Sequence, residues 1–312
     1  MMCGIWKSKS RKELEPSQYR KLPRSITTIN ISGGEPFLRR DLVEVIKEIH
    51  SVVPNARLVF STNGLLTETI VARLEEIRDI HKKIGIGVSI DGLGEVHDRI
   101  RGTPGAFMKA TETVKRLKEH GFKDLRIAMT VFDENADQVW NVFSLSKQLG
   151  VEFTATLVHN SEFYFQKDDN ISPKLLESGI KDMPRVMRSQ LRSKSVKDWY
   201  RAYHTMGMTS SDHRSKFVSR CEAGRRYFLM SPDGDIYPCN VLNWKIGNLS
   251  EVKTWDDLFP VEVEKKVRKM VTDCRNDCWM VCNTRSLVVA HPFGVSAWVL
   301  RNKIRAHLES ER

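Results

Sequence analysis

Six cysteines occur in the 312 residues, and five lie in the last third: Cys221, Cys239, Cys274, Cys278 and Cys282. The last three recur every fourth residue, as C-R-N-D-C-W-M-V-C. On a helix that spacing puts three thiols on one face. In a wrapped loop it lets backbone amides point at sulfur. A buried free cysteine is a common core residue, but five so close together are not chance packing. In a reducing compartment clustered thiols point to metal rather than disulfides. Thiolates from several directions, some adjacent in sequence and some distant, suit an iron–sulfur cluster. A four-cysteine structural zinc site uses the same residue types, so spacing alone leaves both metals open.

A second candidate is Gly33-Gly34-Glu35-Pro36. Paired glycines let the chain turn sharply and present backbone groups to a ligand. Glu35 is able to accept hydrogen bonds from an ammonium group. Taken alone, the stretch is equally well a plain strand-to-helix turn.

The elements that must position these residues alternate along the first half. Strands are predicted at 25–31, 57–61, 84–90, 125–132 and 151–158, each ending in polar or glycine residues. Helical spacing covers 38–53, 66–81, 107–120 and 135–149, the last two stopped by Gly121 and Gly150. Near-continuous apolar strands separated by helices predict a parallel sheet covered by helices. In α/β barrels the C-terminal strand edge is where sites are built. Further on, Ser231-Pro232-Asp233-Gly234 between apolar runs is a hairpin signal. Residues 263–271 read as a helix, and a terminal helix is expected from about Val295.

The ordered set of motifs resembles the radical S-adenosylmethionine (radical SAM) superfamily. I-S-G-G-E-P-F-L-R-R-D-L looks like the motif that binds the methionine amino group of SAM. Ser61-Thr62-Asn63-Gly64 looks like the next strand end, and Gly87-Val88-Ser89-Ile90-Asp91-Gly92 like the ribose-contacting strand. His97-Asp98-Arg99-Ile100-Arg101-Gly102 matches the segment that follows in many members. The last third is similar to the SPASM/twitch auxiliary-cluster extension. The resemblance covers about residues 3 to 285. It implies a fold class of α/β: a partial (β/α)6 TIM-like barrel lacking its first strand, then a small Cys-rich α+β unit. The expected divisions are residues 1–160, a helical bridge or substrate lid at 161–216, and the cysteine-bearing unit at 217–312 with its terminal helix.

The resemblance also implies roles. Cys3 looks like the third cysteine of the C-x-x-x-C-x-x-C motif that holds the catalytic [4Fe-4S] cluster, with Met1 and Met2 as the preceding spacer. Ligation would then be incomplete in this chain, truncated inside that motif, and such a chain would be close to inactive. Gly33, Gly34 and Glu35 would hold the methionine amino group, and Ser89 and Asp91 would face the ribose. Thr62, Asn63 and Arg101 are weaker cofactor-binding candidates, Arg101 for the methionine carboxylate. Thr130 and His159 end later strands and are candidates to line the cavity. Four of the five tail cysteines would hold one auxiliary [4Fe-4S] cluster: Cys221, Cys239, Cys278 and Cys282 first, Cys274 last. The family cleaves SAM reductively to a 5′-deoxyadenosyl radical that abstracts hydrogen from a peptide, protein or small-molecule substrate. An electron donor such as ferredoxin or flavodoxin is implied. The rival reading is a non-enzymatic metal-binding or electron-transfer protein that uses the tail cysteines alone.

Lys and Arg outnumber Asp and Glu by 50 to 39, a net charge of +11. The positives are scattered, so they read as solvated faces, and no nucleic-acid partner is expected. The longest apolar stretch, 286–300, is broken by His291, Pro292 and Gly294, too short to span a bilayer. No membrane partner and a cytoplasmic location follow as the default.

Overall fold

A computed structural model describes residues 12–161, 181–209, 221–274 and 278–308. Cys3, the bridge residues 162–180 and 210–216, and residues 217–220 lie outside the described residues. Five strands form one parallel sheet in sequence order: β1 Thr28–Ile31, β2 Arg57–Thr62, β3 Ile84–Ser89, β4 Leu125–Val131 and β5 Glu152–Leu157. The connecting helices are α1 Leu42–Val52, α2 Thr67–Ile80, α3 Glu95–Arg101, α4 Ala106–Glu119 and α5 Val139–Gln148. This is a partial TIM-like α/β fold. Gly121 and Gly150 end their helices as expected: each sits at positive φ, and the residue after it bonds five back, Phe122 N to Leu117 O and Val151 N to Ser146 O.

The strands are covered by helices on one face, as in the outer ring of a TIM-like barrel. β4 and β5 alternate strictly between buried and half-buried residues, the mark of a sheet with one dry side. The dry side carries Leu58, Phe60, Ile86, Ile127 and Met129, packed with Ile46, Ile70, Leu74, Ile77 and Leu117 of the helices. The other side carries Ser61, Ser89, Arg126, Ala128, Thr130, Thr154 and Thr156, and it lines a cavity of about 3150 Å³.

Helices α6 Met183–Arg192 and α7 Val196–Gly207 follow β5, and α7 packs on it. Ser195 caps α7, its side chain accepting from Asp198 N. Trp199, Tyr203 and His204 belong to this packing. The indole of Trp199 donates to Ser193 O, and Tyr203 meets Trp298 edge-on at 5.3 Å. His204 bonds Ala155 O (3.0 Å) and Thr284 Oγ1 (2.8 Å).

The described residues resume at Cys221, in the expected cysteine-bearing region. Strands β6 Leu229–Met230, β7 Asp235–Tyr237 and β8 Gly247–Asn248 form an antiparallel sheet around the expected turn. Then come α8 Val261–Asp273, α9 Val281–Ala290 and α10 Pro292–Leu308. His291 separates α9 from α10, which begins on Pro292, so the broken apolar stretch is two helices; α10 packs against α6 and α7. The N-terminal 3-10 turn Pro16–Lys21 clamps this unit to the sheet. Leu14 N donates to Pro232 O (2.7 Å), and Lys21 Nζ donates to Leu249 O and Val252 O. No described helix is long and apolar enough to cross a membrane.

Two predictions follow from this packing. At Gly207 an added Cβ would stand 2.0 to 2.4 Å from the Trp279 ring, whose Nε1 donates to His204 O. Gly207→Ala is therefore expected to cost about 1–3 kcal/mol, read as a lower urea midpoint. An unchanged midpoint would contradict the packing. The second concerns His97, His159 and His204, which burial holds down to about 4. Folded, they stay neutral to about pH 4; unfolded, each takes a proton near 6.5. Unfolding between those values takes up protons, so stability is full above about pH 6.5 and falls toward pH 4, by up to about 3 kcal/mol per histidine. Urea titrations at several pH values across that window should show the decline, and a flat profile would refute it.

Candidate functional site

The C-terminal strand ends meet at one edge of the cavity. β1 ends into Ser32-Gly33-Gly34, with Gly33 at φ +124°, a conformation side-chain-bearing residues rarely adopt. A Cβ at Gly33 or Gly34 would meet nothing within 4 Å, so the turn lies open to the cavity. The Glu35 carboxylate is held from behind. The Thr62 hydroxyl donates to it, 2.9 Å from each oxygen, and Asn63 N donates at 2.8 Å. Burial raises its pKa against the pull of these donors. Thr62 and Asn63 thus position Glu35. Thr62 also accepts from Gly64 N, and Asn63 Oδ1 from Leu65 N.

β3 ends differently. Ser89 faces the cavity. Asp91 is wholly buried, in an ion pair with Arg101 Nη2 at 2.6 Å, and it accepts from Thr130 N at 2.9 Å. Its own N–H donates to His97 Nδ1 (3.0 Å), and Asn135 Nδ2 donates to the carbonyls of Asp91 and Thr130. Of the eight expected cofactor contacts, Gly33, Gly34, Glu35 and Ser89 line the cavity. Thr62, Asn63, Asp91 and Arg101 stand behind that lining and brace it. Thr130 and His159 line it too.

The opposite wall is the cysteine-bearing unit. Cys221, Cys239 and Cys282 line the cavity. Asn240, next to Cys239, joins the two walls: its Nδ2 donates to His159 Nε2 (2.9 Å), and its carbonyl accepts from Ser161 Oγ (2.6 Å). Cys239 Sγ accepts from Val241 N and Leu242 N at 3.4 and 3.3 Å. Cys221 Sγ lies 3.3 Å from the Tyr227 hydroxyl. Burial pushes the thiols up, Cys282 to about 12 and Cys278 further, and Cys278 feels all four of the others. Burial likewise raises Cys239. The spacing C-R-N-D-C-W-M-V-C does not form one helical face: Cys274 caps α8, Cys278 lies between the helices, and Cys282 stands in the first turn of α9.

These thiols fit a sulfur-ligated cluster. They are grouped, and the two N–H groups aimed at Cys239 suit a thiolate sulfur. Among the described residues, no three Cys, His, Asp or Glu side chains converge as one ion requires. A tetrahedral zinc site would hold its sulfurs roughly 3.8 Å apart. A four-iron cluster spaces them wider.

The sequence reading missed the far end of the sheet's inner face, where Arg57, Arg126, Arg201 and Arg285 gather with Lys197, Asp124 and Glu152. The available signal was the alternation in Ile84-Gly85-Ile86-Gly87, which strips β3 of side chains on one face.

Comparison with known proteins accords with this geometry. Residues 9–145 match the Radical SAM superfamily. The AdoMet-dependent heme synthase of Methanosarcina barkeri is 27% identical over 250 residues, 76% of this chain and 70% of that protein. The subtilosin biosynthesis protein AlbA of Bacillus subtilis is 25% identical over 227 residues, 72% of this chain and 47% of AlbA. Crystal structures of Streptococcus suis SuiB, bound to S-adenosylmethionine and bound to precursor peptide SuiA, superpose with a TM-score of 0.60 at 16% identity. They cover 86% and 85% of this chain and 65% and 63% of that one, a likeness of fold. The chain thus spans 70% of the first relative and about half of the second. Superfamily members are enzymes that use SAM and a [4Fe-4S] cluster. The glycine turn at the first described strand end, with Ser89 facing the same cavity two strands on, therefore lies in what residues 9–145 are: a domain of the radical SAM superfamily.

Proposed function

We propose that this protein is a radical SAM enzyme that modifies a peptide or a small molecule, with SAM held at the strand ends and an auxiliary [4Fe-4S] cluster on the opposite wall. One observation supports it most: a single cavity is bounded on one side by Gly33, Gly34, Glu35 and Ser89 and on the other by Cys221, Cys239 and Cys282. When bound, the cofactors supply a hydrogen-abstracting radical by one-electron reduction of SAM, the electron coming from an external donor protein.

The chain's own residues bind and orient. The Gly33-Gly34 backbone and Glu35 take the methionine ammonium, with Thr62 and Asn63 fixing the carboxylate. Ser89 takes the ribose. Asp91 and Arg101 act from behind, by holding the β3 and β4 ends in register. Cys221, Cys239, Cys278 and Cys282 hold the auxiliary cluster. The sheet and the cysteine unit shield the reacting region from water. The relatives' names, heme synthase and subtilosin biosynthesis protein, span small molecules and peptides, and both substrate classes stay open here.

Two measurements test this. Gly33→Ala leaves the packing untouched but disfavours the positive φ, at roughly 1–2 kcal/mol. It should weaken SAM binding about tenfold in anaerobic equilibrium dialysis while the melting temperature barely moves; unaltered SAM binding would count against the turn. In anaerobically reconstituted protein, Cys239→Ser and Cys282→Ser should each remove about four irons, and Cys274→Ser should remove none. Zinc in place of iron would reject the auxiliary cluster.

A further inference from the structure

At the N-terminal end of the strands, below the proposed SAM site, the cavity floor is charged. Two glycines make the room. A Cβ on Gly85 would stand 2.6 Å from Arg57 Nη2, and one on Gly87 would stand 3.2 to 3.5 Å from the Arg126 guanidinium. Both guanidiniums therefore lie over the bare inner face of β3.

The carboxylates on this floor are already committed. Asp124 takes Arg57 Nε and Nη2 at 2.9 and 2.6 Å and Lys197 Nζ at 3.2 Å. Glu152 takes Arg201 and Lys197. Arg126 of β4 and Arg285 of α9 are left over. Both line the cavity, and among the described residues neither has an ion pair or hydrogen bond. Five cations, Arg57, Arg126, Lys197, Arg201 and Arg285, thus face Asp124 and Glu152, with Asp198, shared with Lys147, a third carboxylate beside Arg201.

We propose that Arg126 and Arg285 form an anion subsite that binds a carboxylate group of the substrate. Their planar forks match a pair of carboxylate oxygens, and a half-buried charge-assisted pair is strong. Burial and the neighbouring arginines hold Arg126 down to about 10, so an anion there relieves a repulsion already present. The subsite draws on both walls, Arg126 from the sheet and Arg285 one turn beyond Cys282. Arg126 lies over Gly87, two residues and about 7 Å along β3 from Ser89. A substrate anchored by its carboxylate would extend from the floor toward the strand ends; that orientation rests on the radical SAM reading, and the subsite itself does not.

The test is isothermal titration of the anaerobically reconstituted protein at low ionic strength with glutarate, tetraglutamate peptide and inorganic phosphate. Glutarate or tetraglutamate should bind, and the tighter of the two identifies a small acid or a peptide. Arg126→Gln should weaken that binding about 10- to 100-fold, with SAM affinity and iron content unchanged. Gly87→Ala keeps the charge but crowds the guanidinium. It should also weaken binding, and it decides the matter if Arg126→Gln does not fold. Undiminished binding in the folded variants, no binding by wild type, tighter binding of phosphate, or iron lost with Arg126 would each overturn the proposal. SAM affinity from the same samples reports separately on the radical SAM reading.

Discussion

The Asp91 carboxylate is wholly buried, and two segments close on it: α3, by the Arg101 ion pair, and β4, by the Thr130 backbone N–H; His97, also of α3, accepts from the Asp91 amide. Removing one partner of such a pair strands a buried charge, at a cost of roughly 3–5 kcal/mol. The β3 and β4 ends are therefore locked in one arrangement, and Ser89 and Thr130 are held against the cavity. Glu35 does the same for β1 and β2 by different means. Its donors are a hydroxyl and backbone amides, so the carboxylate keeps the higher pKa that burial imposes. The strand ends are thus braced from behind by Asp91, Arg101, Thr62 and Asn63, which stand behind the cavity lining.

This bracing matters because the inner face has little packing of its own. A filled α/β barrel holds layers of branched side chains inside. Here the inner positions of β3 are Gly85, Gly87 and Ser89, and those of β4 are Arg126, Ala128 and Thr130. Apolar burial stabilises only the helix-covered side. The space left over becomes the cavity, and its polarity follows from the same alternation. Binding capacity and the unequal coverage of the sheet are one structural fact.

Much of this was legible in the sequence. The five strands, the helices stopped by Gly121 and Gly150, and the hairpin at Asp233-Gly234 follow from period and turn chemistry, which are local. Helix cover over the strands was expected, but which residues it leaves bare was not legible. β2 and β3 do look near-continuously apolar, and only the structure separates a residue packed on a helix from one over a cavity. Gly33, Gly34, Glu35 and Ser89 were legible as cavity-facing. The inward turn of Asp91 toward Arg101 was not, because it depends on α3 folding back across the strand end. The arginine floor was hidden for a similar reason: Arg57, Arg126, Arg201 and Arg285 are far apart in sequence and scattered among many other positive residues.

The two walls are electrostatically incomplete in complementary ways. The buried thiols are held neutral, and ligating metal would release their protons. The resulting thiolates would add negative charge beside Arg285, which already feels Cys282. Arg126 stands on the sheet, and its neighbours are mainly other arginines. Loading the cysteine wall would thus draw Arg285 toward the cluster, whereas Arg126 would keep its uncompensated charge. The proposed subsite would then pair one arginine that responds to loading, Arg285, with one on the sheet that does not, Arg126.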